Sequence, residues 1–439
     1  MRRNCLVVML VVALLVSLTV TAFTAEQVTL RFAWWGSQSR HDKTLKVIEL
    51  FEKEYPNIKI KPEYTGWDGY FDKMAAQAAG GNLPDLMQHD YKFIKQYVDN
   101  NLIIPLDQYV AAGKIDFRDI PASVMTSGYL NGKLYGINLG NNTYAIIYDP
   151  EMFAQAGIAE PKPGWTWDDY MAACRQIKNK LGIYADTNIA NSGRYAGFEH
   201  YLRQHGSKFF DDSGKSLGYT DDKLFVNFYK MDLALTKEKV FSTAEIRIEN
   251  HTVENDLMVT KKTAMATYWS NQIIAISKAA DRPLKMALYP TIKGQVKEGQ
   301  YLKPSMFLSI TKHSKHPEEA AQFISFFINS VEAGKVLGTD RGVPVANKVR
   351  DALKANLSVA ETEMFNFVEL AAKYSSAIDP PYPASFQEVF DLLTDIHYKM
   401  LYEVLTPEAA AKEFRTKANA ILARELLTEA VSSCRLVPY

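Results

Sequence analysis

Cysteine is almost absent, with three among 439 residues. Cys5 precedes an N-terminal apolar run, which leaves only Cys174 and Cys434 in the body of the chain. That is too few for the disulfide framework of a small secreted domain. Cys174 shares a helical face with Tyr170, Ile177 and Leu181 and is expected in a core, while Cys434 sits in a polar tail; a bond between the two is left open. An excess of either charge is missing as well, with 50 Lys and Arg against 50 Asp and Glu. This gives no electrostatic case for nucleic acid or an anionic membrane surface, and no nucleic-acid partner is expected. There is no internal repeat and no low-complexity tract. A glycine-rich phosphate loop, zinc-ligand spacing and a Gly-x-Ser-x-Gly elbow are all lacking, so no cofactor, metal or catalytic residue is expected. The eight His residues are scattered, and His313 and His316 read as surface at a helix start.

The chain is too long for one ordinary core and suggests two or three domains. It opens on a targeting pattern: Arg2 and Arg3, an unbroken apolar run over 6–16, then small polar residues to Ala25. This reads as a secretory signal over 1–25, cut after Ala22 or Ala25, because the run is short for a membrane span. Cys5 lies where lipoprotein processing would not use it. The mature protein is therefore expected to be soluble, periplasmic or extracytoplasmic, and a monomer.

Val28, Leu30 and Phe32 alternate as a strand and run into Trp34-Trp35-Gly36. A helix is expected from about Asp42 to Tyr55, stopped by Pro56, with the next strand at Ile58 and Ile60. Strand, helix, strand predicts a parallel sheet, whose ligands gather at the carboxyl ends of its strands. A third short strand is expected at 84–87, leading to Asp90. Asn131-Gly132 suits a two-residue turn with positive φ. The small and amide residues over 136–143 interrupt a strand that resumes at Tyr144 and ends at Asp149-Pro150, a cap with proline in the first helical position. Thr166-Trp167-Asp168-Asp169 forms a capping box. The loop-rich stretch 184–220 carries Arg194, Tyr195, Phe198, His200 and Tyr201. Further strands are expected at 263–269, 286–289 and around Leu308 and Ile310. Amphipathic helices are expected from Pro317 and from Pro407.

Several of these segments together resemble the extracellular solute-binding proteins of ABC importers, in the carbohydrate-binding group known as family 1. The matches are the Gly-Lys-x-Tyr-Gly pattern within 131–149, Thr-Trp-Asp-Asp within 163–169, 263–269, Pro-Glu-Glu-Ala within 316–327, Gly342-Val343-Pro344 and Thr406-Pro407-Glu408-Ala409. They follow the family's order along nearly the whole chain. The resemblance implies an α/β, two-lobed type II periplasmic-binding-protein fold, each lobe a sheet flanked by helices, with a multi-strand hinge. Carried over, one lobe takes 26–138 plus 288–344 and the other 139–287 plus 345–439. The crossings fall near 136–143, 287–291 and 344–347. It also implies a sugar or oligosaccharide as ligand, closure of the lobes around it, delivery to the membrane permease subunits of an ABC importer, and no enzyme activity. The alternative from another class is a secreted glycoside hydrolase or polysaccharide lyase, since paired carboxylates could meet in any cleft.

Sugar recognition needs flat apolar faces and fixed polar groups. Trp35, Trp67, Tyr144 and Trp269 stand at strand ends or in loops and are candidates for the first role, as is Phe198. Trp269 matches a position where the family commonly stacks a sugar. Trp34 points to the opposite strand face from Trp35, and Trp165 and Trp167 flank a helix cap, so these three are expected to be structural. Arg40, His41 and Arg341 would suit an acidic oligosaccharide such as one containing uronate, because a guanidinium forks onto a carboxylate. Asp85 and Asp90 are candidate acceptors for hydroxyl protons. Asn138 and Asn141 would serve both hinge and ligand.

Overall fold

The computed structural model describes residues 27–434 apart from 68, 187, 188, 190–194, 250–252, 254 and 384. The expected signal segment, Cys5, Arg194 and the side chain of Cys434 lie outside the described residues. No helix among the described residues is long and apolar enough to cross a membrane.

Strand β1 (Val28–Trp35) is followed by α1 (Gln38–Glu54), β2 (Ile58–Thr65), α2 (Tyr70–Ala79), β3 (Leu86–His89) and α3 (Tyr91–Asp99). Helix α1 starts at Gln38, earlier than the expected Asp42. The Ser37 side chain accepts the Arg40 N–H and caps it. Arg40 and His41 therefore sit in a first helical turn and not in a strand-end loop. Next come β4 (Ile137–Asn138), β5 (Gly140–Asn142) and β6 (Tyr144–Tyr148), then α4 (Trp167–Leu181), α5 (Ala196–Gln204) and α6 (Asp222–Lys237). The capping box at Thr166 and Asp169 is present. Strands β7 (Met265–Trp269), β8 (Lys285–Ala287), β9 (Lys303–Pro304) and β10 (Phe307–Ile310) lead to α7 (Pro317–Asn329), β11 (Val343–Pro344), α8 (Val359–Lys373), α9 (Phe386–Leu401) and α10 (Pro407–Cys434). Asn131 and Gly132 take φ of 50° and 75°, as their hairpin turn requires.

The first sheet runs β2-β1-β3-β10-β4. Its β1 is parallel to β2 and β3, and β10 is antiparallel to β3 and β4. The second runs β8-β6-β7, antiparallel throughout. Strand β6 divides its side chains by the period of two that a strand imposes. Ala145 and Ile147 join the apolar cluster of the first sheet, and Tyr144, Ile146 and Tyr148 join a second cluster with Tyr170, Phe225 and Phe414. Cys174 lies free and buried in that second cluster, where burial pushes its thiol pKa well up. The two sheets belong to the two lobes of a type II fold, and the larger cluster takes in side chains of both.

A third small sheet, β9-β5-β11, takes its middle strand from the chain between the other two. The chain passes from β4 in the first sheet through β5 to β6 in the second. The expected crossings near 136–143 and 344–347 have strand pairing at β5 and β11. The segment after β8 stays with the second lobe for longer than 287–291. Thr291 N–H donates to the Trp165 carbonyl, Val296 N–H to that of Gln204, and the Arg203 side chain to that of Gly299. The other edge partner of β5 is β9. A Cβ on Gly140 would lie 2.2 Å from the Arg341 carbonyl oxygen, so β5 and β11 can approach only with glycine there. Gly140→Ala is expected to lower unfolding stability by about 1–3 kcal/mol as the strands are forced apart, measurable by urea denaturation.

Candidate ligand-binding cleft

Both sheets end on one cavity of about 350 Å³, a size suited to a small ligand. From the first lobe it receives Trp67, in the loop after β2, and Asp90, Tyr91 and Lys92 at the junction of β3 and α3. These stand at the carboxyl ends of the parallel strands, where the sheet's geometry places a ligand. From the second lobe come Tyr144 at the start of β6, Trp269 at the end of β7, and Tyr195 and Glu199 around the start of α5. Tyr301 and Lys303 enter beside β9. The remaining wall is the stretch Ile378, Asp379 and Tyr382 with the first turns of α9.

Tyr144 and Trp269 face each other across the β6–β7 pair, which places Tyr144 opposite Trp269 in register. Their rings stack with centroids 3.7 Å apart at 25°. Lys303 Nζ lies 5.6 Å from the Trp269 ring and 3.9 Å from Asp90. Lys92 Nζ sits 5.2 Å from the Trp67 ring and 5.3 Å from that of Phe386. The Tyr91 hydroxyl donates to the Asp379 carbonyl at 2.7 Å, tying α3 to the stretch before α9. Glu199 is buried and accepts from Tyr301 Oη at 2.6 Å and Tyr382 Oη at 3.0 Å. Burial pushes its pKa up to about 7, against the pull of the Tyr301 hydrogen bond and the Arg203 charge.

Of the candidates read from the sequence, Trp67, Asp90, Tyr144 and Trp269 are brought together at this cavity. The others lie elsewhere. Trp35 is buried behind Trp67, at 5.2 Å, and packs on Tyr70 and Phe71. His41 is buried; its Nδ1 accepts from Trp34 Nε1 at 3.1 Å and its ring stacks on Tyr64. Burial and the Arg40 charge lower its pKa. Arg40 donates to the Asp340 carboxylate at 2.8 Å and to the Asp340 carbonyl at 2.9 Å. Arg341 is buried and donates to Gln88 Oε1 and Thr44 Oγ1. Both guanidiniums thus pin the 340–341 corner to the first lobe, which corrects their reading as carboxylate receptors for a ligand. Asp85 stands at the amino end of β3, opposite the cavity, and accepts the Arg31 N–H and the Ser314 hydroxyl. Phe198 is packed among Phe209, Tyr219, Phe225, Phe228 and Tyr229. It faces the core side of α5, the side away from Glu199. Asn138 and Asn141 bond to each other at 2.8 Å, and Asn138 also accepts the Gly140 N–H, so their amides tie β4 to β5. Trp165 and Trp167 are structural: their ring N–H groups donate to the Leu288 carbonyl and to Gln204.

Sequence reasoning missed Glu199, Tyr301, Asp379 and Tyr382. One signal was available. The run Asp379-Pro380-Pro381-Tyr382-Pro383 interrupts a helical region, and prolines there enforce a rigid extended segment.

Residues 37–333 match the model of the bacterial extracellular solute-binding protein family. An extracellular solute-binding protein family 1 structure from Alicyclobacillus acidocaldarius subsp. acidocaldarius DSM 446 is 35% identical, with 91% of this chain and 100% of that one covered, at a TM-score of 0.81. A periplasmic oligogalacturonide binding protein from Yersinia enterocolitica is 27% identical over 90% of this chain and 99% of its own, at a TM-score of 0.76. An arabinooligosaccharide-binding protein of Bacillus subtilis (strain 168) is 24% identical over 351 residues, covering 75% of this chain and 78% of its own.

Proposed function

The chain belongs to the bacterial extracellular solute-binding protein family, and on that premise we propose that it captures an oligosaccharide in the cleft and delivers it to the membrane subunits of an ABC importer. The observation that carries this reading is the cavity wall itself. The stacked Tyr144 and Trp269, with Trp67 across the cleft, offer flat faces to the C–H side of sugar rings, and carboxylates and ammonium groups stand between them for the hydroxyls. Two of the similar proteins take arabinooligosaccharide and oligogalacturonide, which supports the oligosaccharide class over a monosaccharide.

In this reading residues 1–25 are removed on export, and the mature protein works as a monomer outside the cytoplasm. The lobes follow the division 26–138 with 288–344 and 139–287 with 345–439, except that the stretch 288–299 goes with the second lobe, and they are joined through the β9-β5-β11 sheet. Ligand bridges Trp67 and Asp90 of one lobe and Tyr144 and Trp269 of the other, so it binds the closed form best and shifts the population toward it. No bond in the ligand changes. For a uronate ligand the cations on the cavity wall, among the described residues, are Lys92 and Lys303, in place of Arg40 and Arg341.

A thermal-shift screen across mono- and oligosaccharides, neutral and uronate-containing, tests the class. A binder present at about a hundred times its Kd stabilises by about 2.7 kcal/mol, which moves the melting temperature by several degrees. A melting temperature unmoved across the screen sinks the proposal. Small-angle scattering with the best hit is expected to show a smaller radius of gyration, and chromatography is expected to return the sugar intact; cleaved products would point to the hydrolase or lyase alternative.

A further inference from the structure

Among the described residues four carboxylates line the cavity: Asp90, Glu199, Asp379 and Asp391. Asp90 caps α3 through the Lys92 N–H and lies near Lys303. Asp379 pairs with Arg203 and Lys297. Asp391 is exposed and accepts from Gln387. Glu199 is held differently. It is 3% exposed, and its two oxygens are each held by a phenol, Oε2 by Tyr301 and Oε1 by Tyr382. The neighbouring Arg203 spends its guanidinium on the Gly299 carbonyl, Ser376 Oγ, the Ala377 carbonyl and Asp379. An ionised carboxylate has about four acceptor positions, and two phenols fill half of them. The pair of phenols fixes the carboxyl plane at the cavity wall.

We propose that Glu199 is a ligand-binding residue whose carboxylate, oriented by Tyr301 and Tyr382, accepts a hydrogen bond from a sugar hydroxyl. The inner wall then selects a neutral hydroxyl-bearing ring, and a ligand carboxylate is directed to the Lys92 and Lys303 side. This rests on the carbohydrate reading given above. The groups facing Glu199 are Arg203 from α5, Tyr195 before it, Tyr301 beside β9, Asp379 and Tyr382 before α9, and Tyr91 on α3, with Tyr144 of β6 next to Tyr195 and Tyr301. The phenols of Tyr91, Tyr195, Tyr301 and Tyr382 stay neutral near pH 7, because burial raises their pKa values. Glu199, raised to about 7, therefore changes charge within that range.

The test is calorimetric titration of the mature chain with a panel of neutral and uronate-containing di- and trisaccharides, arabinotriose and digalacturonic acid among them, at about pH 6, 7 and 8. Wild-type affinity for a neutral member is expected to rise with pH, as the accepting form of Glu199 fills. Glu199→Gln is expected to bind that sugar about tenfold or more weakly at the high end, with a flat pH profile. Tyr301→Phe removes a donor to the carboxylate, which raises the Glu199 pKa, so its affinity midpoint is expected to move to higher pH. This second variant also carries the test if Glu199→Gln does not fold. Wild-type binding with an unchanged profile in either folded variant overturns the proposal alone. A wild type that binds no member of the panel overturns the carbohydrate reading, and this inference with it.

Discussion

Asp232→Ala is expected to destabilise the protein by about 3–5 kcal/mol, because it strips the counter-charge from a buried guanidinium. Asp232 on α6 is fully buried and holds Arg247 through both oxygens, at 3.0 and 3.1 Å. His397 on α9 approaches the same carboxylate at 2.8 Å. Arg247 also donates to the Ser242 carbonyl and Thr236 Oγ1, so the group ties α6, the turn after it and α9 into one block of the second lobe. Burial opposes the Asp232 charge, and Arg247 with His397 outweighs it, leaving its pKa below the ordinary value. The sign follows. A depressed carboxylate pKa contributes stability that is present above the unfolded value of about 4 and is lost as pH falls through the folded value. Urea unfolding at neutral pH measures the loss. A change of less than about 1 kcal/mol, the scale of an exposed ion pair, would show that the triad does not hold the lobe.

The second large effect is expected at the cleft. Trp269→Ala should weaken binding of whichever sugar raises the wild-type melting temperature by about thirtyfold or more, the scale of an aromatic anchor at about 2 kcal/mol. The loss has two parts: the flat face offered to the ligand disappears, and Tyr144 loses the ring 3.7 Å away that holds it in place. Trp269→Phe should recover part of the affinity. Trp165→Ala is the matched control. Its ring packs in the second lobe and its Nε1–H donates to the Leu288 carbonyl at 2.8 Å, so it should lower the melting temperature of the free protein and leave the affinity of the folded fraction alone. Calorimetric titration beside a thermal melt separates the two. Equal affinity losses in both variants would remove the case for Trp269 as a contact.

The contrast between these two tryptophans shows how far one sequence reaches. Local rules wrote the elements. Alternation set β1, the box at Thr166 and Asp169 started α4, and Asp149-Pro150 with Gly157 bounded a helix, because caps and strand periods depend on residues a few positions apart. The same rules marked 136–143 as a break in a strand, and that break holds β4 and β5, through which the chain passes from the first sheet to the second. One local rule was misjudged: the Ser37 cap moves α1 forward and turns Arg40 and His41 toward Asp340 and Tyr64, away from the cavity.

Which side chains meet in the cleft was a question of tertiary structure. A strand-end position predicted Trp67, Asp90, Tyr144 and Trp269 at the cavity, since all four stand where the sheets stop. It could not exclude Arg341, because a guanidinium reads as a ligand group until Gln88 and Thr44, far away in the chain, are seen to occupy it. It could not find Glu199 either. A glutamate on a short helix looks like a solvated side chain, and only the packing of distant segments around it buries it and raises its pKa, while Tyr301 and Tyr382 hold its carboxylate at the cavity wall. The sequence by itself determined most of the elements and the break at 136–143, since these follow from neighbours along the chain, while the division into two lobes came from the resemblance to the family. The folded chain alone decided which charges are spent on each other and which remain for a ligand, since that depends on partners more than a hundred residues apart.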